Sequence, residues 1–347
     1  MQNKLFLNNI EKNIDNIFST TNFLNLFKDK DLKFTFKIKK ETLDYIKAPA
    51  IEIINRGGKR IRPMIMILLA YALGLKEQNA KLIYKLSLLL ELPHSGSLII
   101  DDIEDNSIKR RGKPAIHLIY GIDNSINAGN LIYFLPVKLI ERSNLKEHQK
   151  LRIYENFFTT LSNLHLGQGI DIKFHNESYI PSIKEYITLV ELKTASLFGM
   201  ASFIAAILTN NEDKAKNIYS TFLKLGVYFQ IIDDIKNIKN KIHGKEFGDD
   251  LLEGKKSLPI IYFLQEKKLE PKIISKFNEI KHAKLTTARK EIFKLKEMIN
   301  SSKSIKNSTI IALKYLNEFK TELDLYPLTN KYKNLLIDIV DQIKEGI

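Results

Sequence analysis

An all-α fold is predicted by three features of the sequence. Turn formers are scarce: 15 glycines and 9 prolines in 347 residues are about 7% of the chain, against about 12% in average proteins. That is too few for the many tight turns of a β-sandwich or barrel. Apolar residues recur at helical spacing along most of the chain, and three segments are apolar on almost every side, as helices buried in a core must be. A composition of 44% apolar and 27% charged residues is that of a globular protein and argues against disorder.

The elements follow in order. Residues 1–40 are polar, rich in Lys and Asn, with Phe6, Ile10, Ile14 and Ile17 at helical spacing; they read as a helical N-terminal extension and a loop. From Thr42 a stronger helical pattern (Leu43, Ile46, Ile51, Ile54) breaks at Gly57-Gly58. Pro63 suits the first turn of the next helix, Met64–Leu73, which Gly74 ends. Lys81–Asp105 is predicted as a central buried helix, with a kink expected at Pro93, which lacks a backbone donor. Shorter helices are expected around 127–142 and 147–169, and apolar ones over Leu192–Leu208 and Ala215–Ile238. A polar loop covers 239–256, and beyond Pro259 amphipathic helices run to the end. No linker-like stretch or repeat interrupts residues 41–347, which read as one helical domain.

Cysteine is absent, which excludes disulfides, thiolate metal sites and a Cys nucleophile. Met1–Ile14 lacks the apolar core of a signal peptide. The longest apolar runs, Met64–Leu75 and Phe198–Leu208, fall short of the roughly 18 residues that span a bilayer. A cytoplasmic protein without a membrane span is the expectation. The net charge of +14 invites a polyanionic partner, but the lysines are spread along the chain, without the basic stripe of a nucleic-acid binder.

The most informative segment is Asp101-Asp102-Ile103-Glu104-Asp105, directly after Leu98-Ile99-Ile100. On a helix, positions four apart differ by about 40° and rise by about 6 Å, so Asp101 and Asp105 share a face. A second apolar run, Val227–Ile232, ends in Asp233-Asp234. Carboxylates bordering an apolar interior are costly unless cations join them. An all-oxygen donor set suits hard ions, Mg²⁺ before Mn²⁺ or Ca²⁺. A solvated acidic helix end is the bland alternative for either cluster alone; the recurrence argues against it. Basic, glycine-associated segments accompany the clusters: Gly57-Gly58-Lys59-Arg60-Ile61-Arg62-Pro63, Arg110-Arg111-Gly112, Gly244-Lys245 and Gly254-Lys255-Lys256-Ser257. Metals on one side and Lys or Arg on the other are what a Mg²⁺-bridged diphosphate requires.

These segments, with Glu91-Leu92-Pro93-His94, Gly167-Gln168, Lys193-Thr194 and Phe229-Gln230-Ile231-Ile232-Asp233-Asp234 in this order, resemble the trans-isoprenyl diphosphate synthases (polyprenyl synthetases) over about residues 40–265. The resemblance implies the all-α isoprenoid synthase fold, a central cavity between two Asp-rich helices, a homodimer, and Mg²⁺-dependent 1'-4 condensation of isopentenyl diphosphate with an allylic diphosphate. It implies that Asp101, Asp102, Asp105, Asp233 and Asp234 hold Mg²⁺. Arg110, Lys193, Lys245 and Lys255 would contact the allylic diphosphate, and Lys59, Arg62, His94 and Arg111 the isopentenyl diphosphate. Lys193, Thr194 and Gln230 would lie beside the developing allylic cation.

The chain departs from the family pattern at Asn237 and Asn130, where Asp is usual, and at Pro93. Gly96 and Ser97, one turn before Asp101, are small, where farnesyl-forming members often carry an aromatic residue; a product of geranylgeranyl length or longer is expected. The alternatives are a farnesyl diphosphate synthase, a non-catalytic subunit of a heteromeric synthase, or a terpene cyclase, which needs no second diphosphate site.

Overall fold

The structure, a computed structural model, describes residues 2–28, 38–239, 249–267, 271–280 and 285–344. Among them the only strands form one two-stranded hairpin; everything else regular is helix. The chain divides into two compact units. One comprises Met1–Phe158, Met200–Ala215 and Leu328–Leu336; the other comprises Thr159–Gly199, Lys216–Pro327 and Ile337–Ile347.

In the first unit the N-terminal extension folds as α1 (Gln2–Phe18) and α2 (Thr20–Phe27). Phe6, Ile10, Ile14 and Ile17 are all buried, as their spacing predicts. Next come α3 (Lys40–Asn55) and α4 (Ile61–Ala72). Helix α4 ends in a Schellman motif: Gly74 takes φ +88° and Leu75 N–H donates to Ala70 O at 2.9 Å. The long helix expected over Lys81–Asp105 is two, α5 (Ala80–Leu86) and α6 (Leu88–Glu104), parted at Ser87. The Ser87 hydroxyl donates back to Tyr84 O at 2.8 Å and competes with the helical ladder there.

Helix α6 stops within the acidic cluster, with Asp105 as its C-cap. Asn106 adopts φ +53°, and Ser107 N–H donates to Asp102 O at 2.9 Å, a second Schellman ending. The hairpin of β1 (Lys109–Arg110) and β2 (Lys113–Pro114) follows. Its two-residue turn puts both Arg111 and Gly112 at positive φ, 52° and 76°, the geometry that matches strand twist. Then come α7 (Ile116–Tyr120), α8 (Ile122–Phe134), α9 (Val137–Glu141) and α10 (Glu147–Asn176), which belongs to the second unit from Thr159 on. The helix expected over 127–142 is broken at Leu135-Pro136, between α8 and α9. Helix α6 packs closely on α8, and α3 lies against both.

In the second unit α11 (Ile183–Val190) begins with a complete Ser182–Glu185 capping box. It passes through a π-helical turn, Glu191–Ala195, into α12 (Ser196–Leu208), which belongs to the first unit from Met200 on. The combined run Ile183–Leu208 is longer than the apolar pattern suggested: at 26 residues it is long and apolar enough to cross a membrane, yet 78% of its most apolar window is buried in the protein. That is the signature of a core helix. Helices α13 (Ala215–Ile238), α14 (Asp249–Leu252), α15 (Leu258–Glu266), α16 (Pro271–Ile280), α17 (Leu285–Ser301), α18 (Ser304–Leu323) and α19 (Asn330–Lys344) complete the chain. Ile238, Leu251, Ile260, Phe263, Ile292 and Leu295 form part of one core cluster. The buried Lys296 donates to Asn237 O at 2.9 Å and so caps the end of α13.

Candidate active site

In the first unit the acidic cluster occupies the last turn of α6. Carboxylates there oppose the helix macrodipole, whose C-terminal end is already negative, so a cation is the natural complement. Asp101 and Asp105 are partly exposed, and Asp102 is fully buried. Asp102 Oδ1 accepts from Arg110 Nε at 2.9 Å and from Arg110 Nη2. Asp102 Oδ2 is buried without a hydrogen-bond partner among the described residues.

The hairpin turn carries Arg110 and Arg111 back toward α3. Arg111 Nη1 donates to Ile53 O at 3.2 Å and to Gly57 O, which fixes the strained Arg111 backbone against the Gly57-Gly58 turn. Arg56 Nη1 holds the hairpin from beneath, on Arg110 O at 3.1 Å and Pro114 O at 2.8 Å. His94 lies within electrostatic reach of Arg62, Arg111, Arg110 and Arg60; burial first, and then these four cations, hold its pKa well below the usual value. It is therefore a neutral imidazole with one N–H to give. Burial and the neighbouring Arg60 and Arg110 likewise lower Arg111, against the pull of Glu91. Glu91 and Asp102 offset part of this positive charge, and what remains attracts a further anion. Lys59 is exposed beside them.

In the second unit the π turn carries Lys193 and Thr194. It is pressed between two helices: a Cβ on Gly167 of α10 would lie 2.6 Å from Lys193 N, and one on Gly226 of α13 would lie 2.4 Å from Ala195 Cα. Only glycine fits either position. The side chains around the turn form two networks. Lys193 Nζ donates to Asp171 Oδ2 at 2.7 Å, while His175 Nε2 lies 2.7 Å from Asp171 Oδ1. Burial alone would raise the Asp171 pKa, but Lys193, His175 and Lys255 hold it well below the carboxylate range. In the other network Thr194 Oγ1 donates to Gln230 Oε1 at 2.8 Å, and Gln230 Nε2 donates to Asp234 Oδ1 at 2.8 Å. Asp234 Oδ2 accepts from Tyr186 OH at 2.6 Å and from Leu258 N–H at 3.2 Å. Burial pushes the Asp234 carboxyl up to about 7, against the lowering effect of the Tyr186 and Gln230 hydrogen bonds, with Asp250 adding repulsion.

The first unit thus brings Arg62, His94, Arg110 and Arg111 together, and the second gathers Lys193 and Lys255 about Asp171. Of the two lysines in Lys255-Lys256, Lys256 is buried and caps the end of α10 through Phe174 O and Glu177 O. Lys245 lies outside the described residues. Asp234, expected among the metal ligands, has both oxygens occupied by protein donors, whereas Asp233 is partly exposed. Asn237 is buried and Asn130 exposed. Gly96 is small for a reason other than pocket depth: its Cβ would lie 2.9 Å from Gly129 O, so it serves the crossing of α6 and α8. Ser97 is buried, with its hydroxyl donating to His94 O at 2.8 Å.

Sequence reasoning missed Arg60, Asp171, His175 and Tyr186. Asp171 could have been found, since it lies one helical turn beyond the Gly167-Gln168 pair.

Among the described residues no three His, Asp or Glu side chains form a ready-made metal cage. Mg²⁺ needs none, because it takes one or two protein carboxylates and fills its remaining positions with water and substrate phosphate. The partly exposed Asp101 and Asp105 at the end of α6 and, separately, Asp233 at the end of α13 each fit such an ion.

A helical fold, clusters of cations and carboxylate-tipped helices define a class, and comparison with known proteins identifies it. Residues 43–295 match the polyprenyl synthetase family model, and the chain belongs to that family. A geranylgeranyl pyrophosphate synthase from Gibberella zeae is 36% identical over 224 residues, 64% of this chain and 58% of that protein. The chain spans less than two thirds of the length of the first relatives it matches. Among solved structures, geranylgeranyl pyrophosphate synthetase from Pyrococcus horikoshii superposes with a TM-score of 0.78 at 25% identity, covering 99% of each chain. The Corynebacterium glutamicum geranylgeranyl pyrophosphate synthase, a complex with isoprenyl diphosphate and magnesium, superposes with a TM-score of 0.84 at 19% identity, over 99% of this chain and 98% of that one.

Proposed function

We propose that this protein is a prenyl diphosphate synthase that condenses isopentenyl diphosphate head-to-tail with an allylic diphosphate to a product of geranylgeranyl length or longer. The observation that carries the reading is that Arg62, Arg110 and Arg111 all lie within electrostatic reach of the buried His94, within one loop of the carboxylates that end α6. No solvated surface needs that arrangement; a diphosphate does. The product length is supported by the geranylgeranyl pyrophosphate synthases among the relatives and by the absence of an aromatic side chain at Ser97.

In this reading Asp101, Asp105 and Asp233 hold Mg²⁺, with Mn²⁺ as a substitute, and Asp102 and Asp234 position their helices. The metal, when bound, neutralises the departing diphosphate and so eases breakage of the allylic C–O bond. Arg110, Lys193, Lys245 and Lys255 bind the allylic diphosphate, with Arg110 oriented by Asp102. Lys59, Arg62, His94 and Arg111 bind isopentenyl diphosphate and orient its double bond. Thr194 and Gln230 turn oxygen dipoles toward the allylic carbon as it becomes positive. The double bond attacks that carbon, a C–C bond forms, and the adjacent CH₂ of the isopentenyl unit loses a proton to the departed diphosphate. No protein base is required.

We also place the chain in a cytoplasmic homodimer. The exposed Leu118 and Ile119 on α7 and Ile122 and Ile126 on α8 support a surface that a second copy covers.

The test is incubation of the purified protein with Mg²⁺, isopentenyl diphosphate and each of the five-, ten- and fifteen-carbon allylic primers, followed by measurement of product length. Products of twenty carbons or more are expected. Products stopping at fifteen would establish the farnesyl alternative, cyclised hydrocarbons the cyclase, and no turnover the non-catalytic subunit.

A further inference from the structure

Arg60 has no part in the chemistry proposed above, yet it is the most completely held cation in the first unit. Its side chain is buried, and every nitrogen of the guanidinium is engaged. Nε donates to Glu11 Oε1 at 2.9 Å and Nη2 to Glu11 Oε2 at 3.3 Å; Nη1 donates to Glu91 Oε1 at 2.5 Å, and Nη2 also to Ile54 O at 2.8 Å. Four of its five N–H donors are thus spent inside the protein. Its backbone is left-handed, φ +48° and ψ +34°, at the N-cap of α4, a conformation that costs a non-glycine residue about 1–3 kcal/mol and persists only where its surroundings impose it.

The position of this strained residue matters. Lys59 precedes it and Arg62 follows two residues later, so the Arg60 torsions set the direction of both. Glu91 stands three residues before His94 on the same helix and shares its face. The Glu11–Arg60–Glu91 chain therefore ties three elements together: α1, the glycine-rich turn, and the helix that carries His94. Glu11 is its outer end, 46% exposed, on a helix anchored through Phe6, Ile10, Ile14 and Ile17.

We propose that the N-terminal helix α1 is a working part of the isopentenyl diphosphate half-site, with Glu11 and Arg60 as positioning residues that hold Lys59 and Arg62 in register with His94. This rests on the function proposed above. Its consequence is selective: disturbing Glu11 weakens one substrate and spares the other.

The test is steady-state kinetics of the full chain, wild type against Glu11→Ala and Glu11→Gln, with calorimetric titration of isopentenyl diphosphate into the primer-free protein. Glu11→Ala is expected to raise KM for isopentenyl diphosphate about fivefold, in keeping with loss of charge-assisted hydrogen bonds from a half-exposed carboxylate. The allylic KM and kcat should stay within about twofold, Glu11→Gln should recover part of the loss, and calorimetric affinity should fall by the same factor as KM rises. Unchanged isopentenyl diphosphate binding in Glu11→Ala overturns the proposal. So does a parallel rise of both KM values with a lower melting temperature, which marks a purely structural role. A wild-type chain that forms no prenyl product overturns the function beneath it as well.

Discussion

The two acidic helix ends share a plan and differ in how they carry it out. In each, the first aspartate, Asp101 or Asp233, is partly exposed and the second, Asp102 or Asp234, is buried. At the end of α6 the buried carboxylate is met by a cation, Arg110. At the end of α13 it is met by neutral donors, Tyr186, Gln230 and the Leu258 N–H. A guanidinium meets a buried carboxylate's charge directly. Neutral donors satisfy its geometry but leave desolvation in command, and so Asp234 is pushed up to about 7. The same sequence pair thus serves as an ion pair at one helix end and as a hydrogen-bond hub at the other.

The largest expected effect is on the ion pair. Arg110→Ala strands the Asp102 charge in the interior and should cost about 3–5 kcal/mol in chemical denaturation; Asp102→Asn in the same background should restore much of that loss. If Arg110→Ala unfolds like the wild type, the pair is not what holds Asp102.

The hub should respond to pH instead. A carboxyl whose folded pKa, about 7, lies above its ordinary 3.8 contributes stability that is full below the lower value and lost as pH rises through the upper one. Metal-free wild type should therefore lose stability between about pH 4 and pH 7, and Asp234→Asn should flatten that decline. An equally steep decline in the variant would contradict the assignment. A smaller effect, about 1 kcal/mol, is expected for Tyr186→Phe, which removes one of several donors. Ser97→Phe is expected to act on the product: chain length should shorten in the product assay, and an unchanged product would remove Ser97 from the pocket.

Much of the fold was legible because its punctuation is chemical. Gly57-Gly58, Pro63 and Gly74 mark helix ends through φ preferences that need no tertiary context, and the buried stripe of α1 follows from spacing alone. Both Asp pairs were legible for the same reason. What was not legible depends on contacts between distant residues: Arg60 is identified as a scaffold only by Glu11 and Glu91, and Asp234 as a hub only by Tyr186. The break at Ser87 and the π turn that presents Lys193 have no local signature, since the turn exists because Gly167 and Gly226 admit it from either side. Gly96 was legible as small but not as a helix-crossing residue, because its partner is Gly129.

The central claim is that the outer aspartates hold Mg²⁺ while the inner ones hold the protein. The most direct measurement is prenyl turnover across a Mg²⁺ titration in Asp101→Ala, Asp233→Ala and Asp234→Asn. The first two should lose at least about 10²-fold in kcat without loss of melting temperature, while Asp234→Asn keeps its Mg²⁺ dependence. Wild-type turnover in Asp101→Ala, at any Mg²⁺ concentration, would contradict it.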